Sequence, residues 1–219
     1  MKIGILGTGA VGEAIGIALS KKHQVIMGSR TAGNEKSTKW VKKAGKSASE
    51  GTFNDAATEA DLIFICLNGE HALDAIESIN KESVTNKILI DLTNPLDFSS
   101  GMPPKLIRDL SGDTSLGEQI QNALPNAFVV KALNTVNYNL MVDANKVNKG
   151  DHNLFICGND LDAKNKVKHF LVDNFHWRPE SLLDLGGIEA AGSIEGIVPF
   201  WVLVWQALGT PLFNFKVVQ

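Results

Sequence analysis

Residues 1–30 run MKIGILGTGAVGEAIGIALSKKHQVIMGSR. Lys2 to Leu6 form a short apolar strand, Gly7, Gly9 and Gly12 supply a G-x-G-x-x-G spacing, and Val11 to Leu19 continue as an apolar-faced helix. Strand, glycine turn and helix in direct succession predict the opening βα unit of a dinucleotide-binding sheet. Gly7 permits the tight turn, Gly9 lets backbone approach a pyrophosphate, and Gly12 lets helix and strand pack closely. The stretch from Gly7 through Thr8, Ala10, Val11 and Gly12 offers backbone N–H groups and the positive end of a helix dipole to phosphate.

The choice of dinucleotide falls about twenty residues on, where NAD-binding chains place an acid at the end of the second strand. Here the strand Gln24 to Met27 runs into Gly28-Ser29-Arg30-Thr31, without an acid. A carboxylate would repel a 2′-phosphate, whereas the Ser29 hydroxyl and the Arg30 guanidinium can donate to it. NADP is therefore the expected cofactor. Lys36 and Lys39 fall on the solvated face of a following helix.

At 219 residues with a net charge of −3, the chain is long enough for one substantial core and lacks a basic run that would suit nucleic acid or a membrane surface. A small molecule is the expected partner. Cys66 and Cys157 sit singly in apolar strand-like runs, with no metal or redox spacing, which fits buried thiols and a reducing cytoplasm. The glycine motif interrupts any apolar leader, so no signal peptide is expected. The apolar run Ile197 to Trp205 contains Pro199 and falls short of the ~20 residues of a spanning helix, so a core or interface helix is expected.

Strand and helix patterns alternate along the whole chain, predicting a Rossmann-type α/β fold: a doubly wound, mostly parallel sheet with a small C-terminal helical extension. Residues 1–150 form the nucleotide-binding part. Residues 151–219 are expected to pack on the same sheet, with the apolar helix near the substrate site or a dimer interface. Further strands are predicted at 51–53, 62–67, 87–91, 128–132 and 154–157, and helices at 35–44, 72–79, 117–123 and 160–172. A proline-rich loop spans Asn94 to Pro104, and the tail FNFKVV alternates like a strand. Ligands of such sheets lie at the carboxyl ends of the strands, near the switch in strand order. That rule selects Gly7 to Gly12, Ser29 and Arg30 for the adenosine phosphate side. It selects Leu67, Asn68 and Gly69, then Thr93 and Asn94, then Leu133, Asn134 and Thr135 for the nicotinamide.

With those residues placed, the chain resembles the coenzyme F420-dependent NADP oxidoreductases, which pass a hydride between NADP and a 5-deazaflavin. The resemblance runs over essentially the whole length. It rests on the first fifteen residues, GSR at 28–30, DLTNPL at 91–96, VVKALNTV at 129–136 and DLGGIEAA at 184–191. A reductase module of membrane-bound ferric reductases is also similar. The resemblance implies that Thr8, Ser29 and Arg30 hold the 2′-phosphate and that loops at Asn68, Asn94 and Asn134 line the hydride-transfer site. It also implies a homodimer, with the apolar C-terminal helix at or near the interface. Two departures bear on the hydride partner: Asn68 stands where relatives commonly carry proline, and Gly192 where many carry arginine.

Hydride transfer between stacked rings needs orientation at about 3–3.5 Å and no obligatory protein acid or base. The catalytic candidates are accordingly few. Asn134 can hydrogen-bond a carboxamide, and His71, at the start of a helix, can touch the nicotinamide or protonate a substrate. His152 is expected at the surface. Trp201 and Trp205 lie four apart on one helix face, suited to packing or to walling a flavin-like ring. Lys131, inside VVKALN, either approaches the cofactor or runs along the sheet edge to solvent. No metal-ligating pattern is present. The alternatives to a deazaflavin or flavin-like acceptor are an NADPH-dependent reductase of a small imine or carbonyl, and a non-catalytic module that senses NADP(H).

Overall fold

The computed structural model describes residues 1–219. Six parallel strands form the central sheet: β1 (Lys2–Leu6), β2 (Gln24–Ser29), β3 (Ala48–Thr52), β4 (Leu62–Ile65), β5 (Ile88–Asp91) and β8 (Phe128–Lys131). Their spatial order is β3-β2-β1-β4-β5-β8, so strand order reverses between β1 and β4. This is the Rossmann order, and it opens a crevice at the carboxyl ends of β1 and β4.

The side-chain period of two divides the sheet between two cores. Ile3, Ile5, Phe64, Ile90 and Val130 face one layer, built from α1 (Ala10–Leu19), α2 (Glu35–Ala44), α6 (Tyr138–Met141) and α7 (Leu161–Phe175). Leu6, Ile63, Ile65, Leu89 and Val129 face the other, built from α3 (Phe53–Glu59), α4 (Ala72–Glu77), α5 (Leu116–Ala123) and α8 (Ala191–Gly196). Each such fully buried aliphatic or aromatic side chain contributes about 1.5–3 kcal/mol. Burial on both faces is why the central strands read as continuous apolar runs.

After β8 the chain forms a second, two-stranded parallel sheet of β9 (Leu154–Ile156) and β10 (Leu182–Asp184). It joins the main sheet through one antiparallel bridge, with Lys131 and Cys157 exchanging both backbone hydrogen bonds at 2.9 and 3.1 Å. A short hairpin of β6 (Leu96–Asp97) and β7 (Lys105–Leu106) occupies the proline-rich loop.

Several details depart from the sequence expectation, each for a local reason. The third strand lies earlier and Phe53 opens α3 instead. The Thr52 hydroxyl accepts from the Asp55 amide at 3.1 Å while the Asp55 carboxylate accepts from the Thr52 amide at 2.8 Å, a capping box that starts a helix there. The FNFKVV tail is not a strand. The Asn214 side chain donates to the Asn153 carbonyl and the Val217 amide to Asn153 Oδ1, while Phe213 stacks on Trp201 and Phe215 on Phe200. His152 is buried rather than exposed: Nε2 donates to the Ala144 carbonyl at 2.9 Å and Nδ1 accepts from Asn214 at 2.8 Å.

The nine-residue apolar run belongs to a longer helical stretch. Residues 188–190 and α8 feed into α9 (Val198–Leu208), giving 21 helical residues that are apolar enough to cross a membrane by length and composition. The first half carries Glu195, which is buried against the protein.

Candidate active site

The glycine turn is built as its spacing demands. Gly7 adopts φ +125°, and a Cβ there would strike the Cys66 carbonyl. A Cβ on Gly12 would strike the Gly7 carbonyl, so the start of α1 is pressed onto the turn. Gly9 is different: its backbone is ordinary extended chain, and a Cβ there would meet nothing within 4 Å. The open space lies at the start of α1, where the first helical bond runs from the Glu13 amide to the Gly9 carbonyl. The amides of Ala10, Val11 and Gly12 therefore have no helical acceptor, and Gly9 has no side chain to cap them. Side chains cap α2, α3, α5, α6 and α7. The α1 terminus, like those of α4, α8 and α9, has no side-chain cap.

One strand over, the Gly7 amide donates to the Gly28 carbonyl at 3.0 Å, which sets Ser29 and Arg30 beside the turn. Ser29 is buried and its hydroxyl donates to the Thr31 carbonyl at 2.7 Å. That commitment leaves Arg30, exposed and without an ion pair, as the free donor at the end of β2. Thr8, half-buried in the turn, likewise has no side-chain partner. Glu50 on β3 was not singled out from the sequence. Its carboxylate accepts from the Gly33 amide at 2.9 and 3.1 Å and from the Ser37 hydroxyl at 3.2 Å, bracing the loop after Arg30. Only pairing of Glu50 with Met27 across β2 and β3 brings it there, a signal absent from linear spacing.

On the other side of the switch point, three loops converge. Leu67 lies against Gly7, and Gly69 sits so close to the Asn94 carbonyl that no Cβ would fit. Asn94 and Asn134 then form a reciprocal pair. Asn94 Nδ2 donates to the Asn134 carbonyl at 2.9 Å, and Asn134 Nδ2 donates to Asn94 Oδ1 at 2.8 Å. Asn134 is 5% exposed, yet its Oδ1 has no hydrogen-bond partner. A buried acceptor without a donor costs about 1–3 kcal/mol, a cost that the Nε1 atoms of Trp40 and Trp201 also carry as unpartnered donors. The preceding residue, Leu133, is fully buried at φ +66°, a conformation uncommon outside glycine and held here by the packed strand end.

Asn68 Oδ1 accepts from the Glu70 amide at 3.3 Å and starts the short turn that ends at His71. His71 is exposed with no side-chain hydrogen bond. Trp201 and Trp205 pack on one another with ring centres 5.8 Å apart. Both cysteines are buried. Burial pushes the Cys66 thiol well up and the Cys157 thiol up to about 12, so neither is a thiolate nucleophile at neutral pH. A polar depression of about 620 Å³ lies at the opposite, amino end of the strands, lined by Asn86, Asn122, Asn126 and Asn159 among others, and it holds none of these groups.

Lys131 does not run to solvent. It is fully buried, with Nζ donating to Asp91 Oδ2 at 2.8 Å and to the Thr93 carbonyl at 2.7 Å, and lying 2.6 Å from Glu195 Oε1. Burial pulls its ammonium down, but the Asp91 and Glu195 carboxylates outweigh that and hold it above the usual lysine range. Burial also pushes the Glu195 carboxyl above the usual carboxylate range, against the pull of Lys131.

The strand order and the glycine turn between β1 and α1 place the chain in the class of Rossmann-type dinucleotide-binding folds. The profile of the family described as NADP oxidoreductase, coenzyme F420-dependent, matches residues 2–95. The F420-dependent NADP reductase of Methanocaldococcus jannaschii is 31% identical over 92% of this chain and 91% of its own length. A solved structure of a candidate F420-dependent NADP reductase from Arthrobacter sp. FB24 is 40% identical, covers all of both chains, and superposes with a TM-score of 0.91. The rat Metalloreductase STEAP3 is 27% identical over 91% of this chain, which spans 38% of that protein. The chain belongs to the coenzyme F420-dependent NADP oxidoreductase family and is an NADP-dependent oxidoreductase. An imine reductase from Myxococcus stipitatus, solved with NADP+, shares the fold alone, at 15% identity and a TM-score of 0.63.

Proposed function

We propose that this protein transfers a hydride between NADP(H) and a 5-deazaflavin of the F420 type, in the cytoplasm and as a homodimer. The observation that carries the cofactor's place is the unpartnered Asn134 Oδ1, a buried acceptor suited to the carboxamide N–H of a nicotinamide. Gly7, Gly9 and Gly12, with the free amides of Ala10 to Gly12 and the hydroxyl of Thr8, cradle the pyrophosphate. Arg30 takes the 2′-phosphate beside the buried Ser29. Leu67 and Asn68 flank the ring from the end of β4, and Asn94 keeps Asn134 oriented through the reciprocal pair. Leu133 turns Asn134 toward the crevice.

NADPH, when bound, supplies the hydride. The chain supplies orientation: Asn134 fixes the carboxamide and hence which ring face is offered. His71, exposed in the turn after β4, is the candidate proton donor. The acceptor assignment is drawn from the names of the family members reported above. The free cysteines support the compartment, and the exposed Phe200, Leu203 and Leu208 on α9 support the dimer.

Arg30→Ala should raise the Kd for NADPH by about tenfold to a hundredfold and leave NADH unchanged, the loss of one charge-assisted hydrogen bond. Fluorescence titration with both nucleotides measures it, and an equal loss for both would place the phosphate pocket elsewhere. Asn134→Leu, which keeps the branching but removes both polar atoms, should lower kcat by roughly tenfold or more through loss of carboxamide orientation. Steady-state assay with NADPH and oxidised F420, set beside flavins, ferric chelates and cyclic imines, checks both this and the acceptor. Turnover of an imine but not of F420 would move the chain to the imine-reductase activity.

A further inference from the structure

The fully buried Lys131, Asp91 and Glu195 are not explained by cofactor binding. Removing two carboxylates and an ammonium from water costs several kcal/mol per ion, and a well-packed apolar replacement is often at least as stable. Stability alone is therefore a weak reason for their presence, and their placement offers another.

Each member anchors a different part of the crevice. Asp91 ends β5, and its Oδ1 accepts from both the Thr93 amide, at 2.8 Å, and the Thr93 hydroxyl, at 2.7 Å. Lys131 holds the Thr93 carbonyl as well. Thr93 is therefore gripped at its amide, its hydroxyl and its carbonyl, immediately before Asn94. Lys131 ends β8 and leads through Ala132 and the left-handed Leu133 to Asn134. Both halves of the amide pair are thus three residues from a member of the ion cluster.

Glu195 comes from α8, on the C-terminal helical run. Besides meeting Lys131, its Oε1 accepts from the Gly117 amide at 3.0 Å and its Oε2 from the Leu116 amide at 3.1 Å, satisfying the start of α5. Gly117 and Ala191 are in close contact at the same place, because a Cβ on Gly117 would lie 2.8 Å from that of Ala191. Glu195 therefore fastens the C-terminal helix to the same ammonium that fixes the two asparagine loops.

We propose that Lys131, Asp91 and Glu195 are positioning residues that set the orientation of the Asn94–Asn134 pair, and that Glu195 makes this orientation depend on seating of the C-terminal helix. The catalytic consequence rests on the nicotinamide placement given under Proposed function. The geometric part does not.

Glu195→Gln keeps the volume and one of the two acceptor oxygens while removing the charge. In the nucleotide-free full-length protein, the side-chain amide signals of Asn94 and Asn134 in a 1H–15N correlation spectrum should shift or broaden in this variant. With NADPH and oxidised F420, kcat should fall by about tenfold while the KM for NADPH stays within about twofold, a split that general loosening would not produce. Lys131→Arg should retain more of kcat than Lys131→Met. Unchanged asparagine amide signals in Glu195→Gln would overturn the proposal, as would equal losses in kcat and in NADPH affinity. If NADPH fails to perturb those signals in the unaltered protein, the nicotinamide placement fails, while the effect of Glu195→Gln on the free protein still decides the positioning role.

Discussion

Gly9→Val should leave folding intact and weaken NADPH binding by at least about a hundredfold, because two facts at this position pull apart. The glycine has ordinary extended backbone with φ −80° and ψ −179°, which valine adopts readily, and the space its Cβ would enter is open. No contact in the folded state opposes a Cβ at this position. The same space is where a phosphate would approach the amides of Ala10, Val11 and Gly12. Charge-assisted hydrogen bonds contribute about 1.5–3 kcal/mol each, so loss of two exceeds the roughly 2.7 kcal/mol of a hundredfold change. Gly12→Val is the contrasting variant. Its side chain would meet the Gly7 carbonyl, so it should lose the fold and the site together. Thermal unfolding beside fluorescence titration of NADPH separates the two, and a Gly9→Val protein that binds like its parent would remove the phosphate from the start of α1.

Lys131→Met should destabilise the protein by about 3–5 kcal/mol at neutral pH, the cost of leaving buried carboxylates without their counter-ion. The deficit has a defined pH dependence. A carboxyl whose folded pKa is raised binds more protons folded than unfolded, so stability falls as pH rises from its unfolded value through its folded one. Glu195 is already on that side of the balance through burial, and loss of the ammonium raises it further. The variant should therefore be weakest at neutral and alkaline pH and approach the parent as pH drops below the ordinary carboxylate range. Adding Asp91→Asn and Glu195→Gln to Lys131→Met should recover part of the loss at pH 7. Urea unfolding at several pH values measures all of this, and a deficit independent of pH would mean that the ammonium is not the partner of these carboxylates.

The contrast between Gly9 and Lys131 also separates what sequence patterns reveal from what they hide. The glycine turn, the strands on either side of it and Arg30 are local features, each decided by neighbours within a few positions. Asn94 and Asn134 were reachable by the rule that ligands sit at the carboxyl ends of strands, although their mutual hydrogen bonds were not. Lys131 was ambiguous because its partners come from β5 and α8, distant in sequence and met only once the sheet is assembled. Glu50 was hidden for the same reason, lying on a neighbouring strand. The FNFKVV tail misled in the opposite direction. Its alternation is real, but the stripe of Phe213 and Phe215 packs its rings on Trp201 and Phe200 of α9 instead of joining a sheet.

The bridge between Lys131 and Cys157 has a consequence for how copies of this protein can meet. A parallel sheet ending at β8 would present a bare row of amides and carbonyls, an invitation to strand addition by another molecule. Here the exchange with Cys157 occupies the outward bonds at the end of β8, and the strand beyond it, β10, is only three residues long. At the far side β3 is a five-residue strand of small and polar side chains. Neither margin favours a continuous sheet running from one molecule into the next. Any apolar contact between copies would therefore have to use a helical face, and on α9 Phe200, Leu203 and Leu208 are the large apolar side chains left exposed.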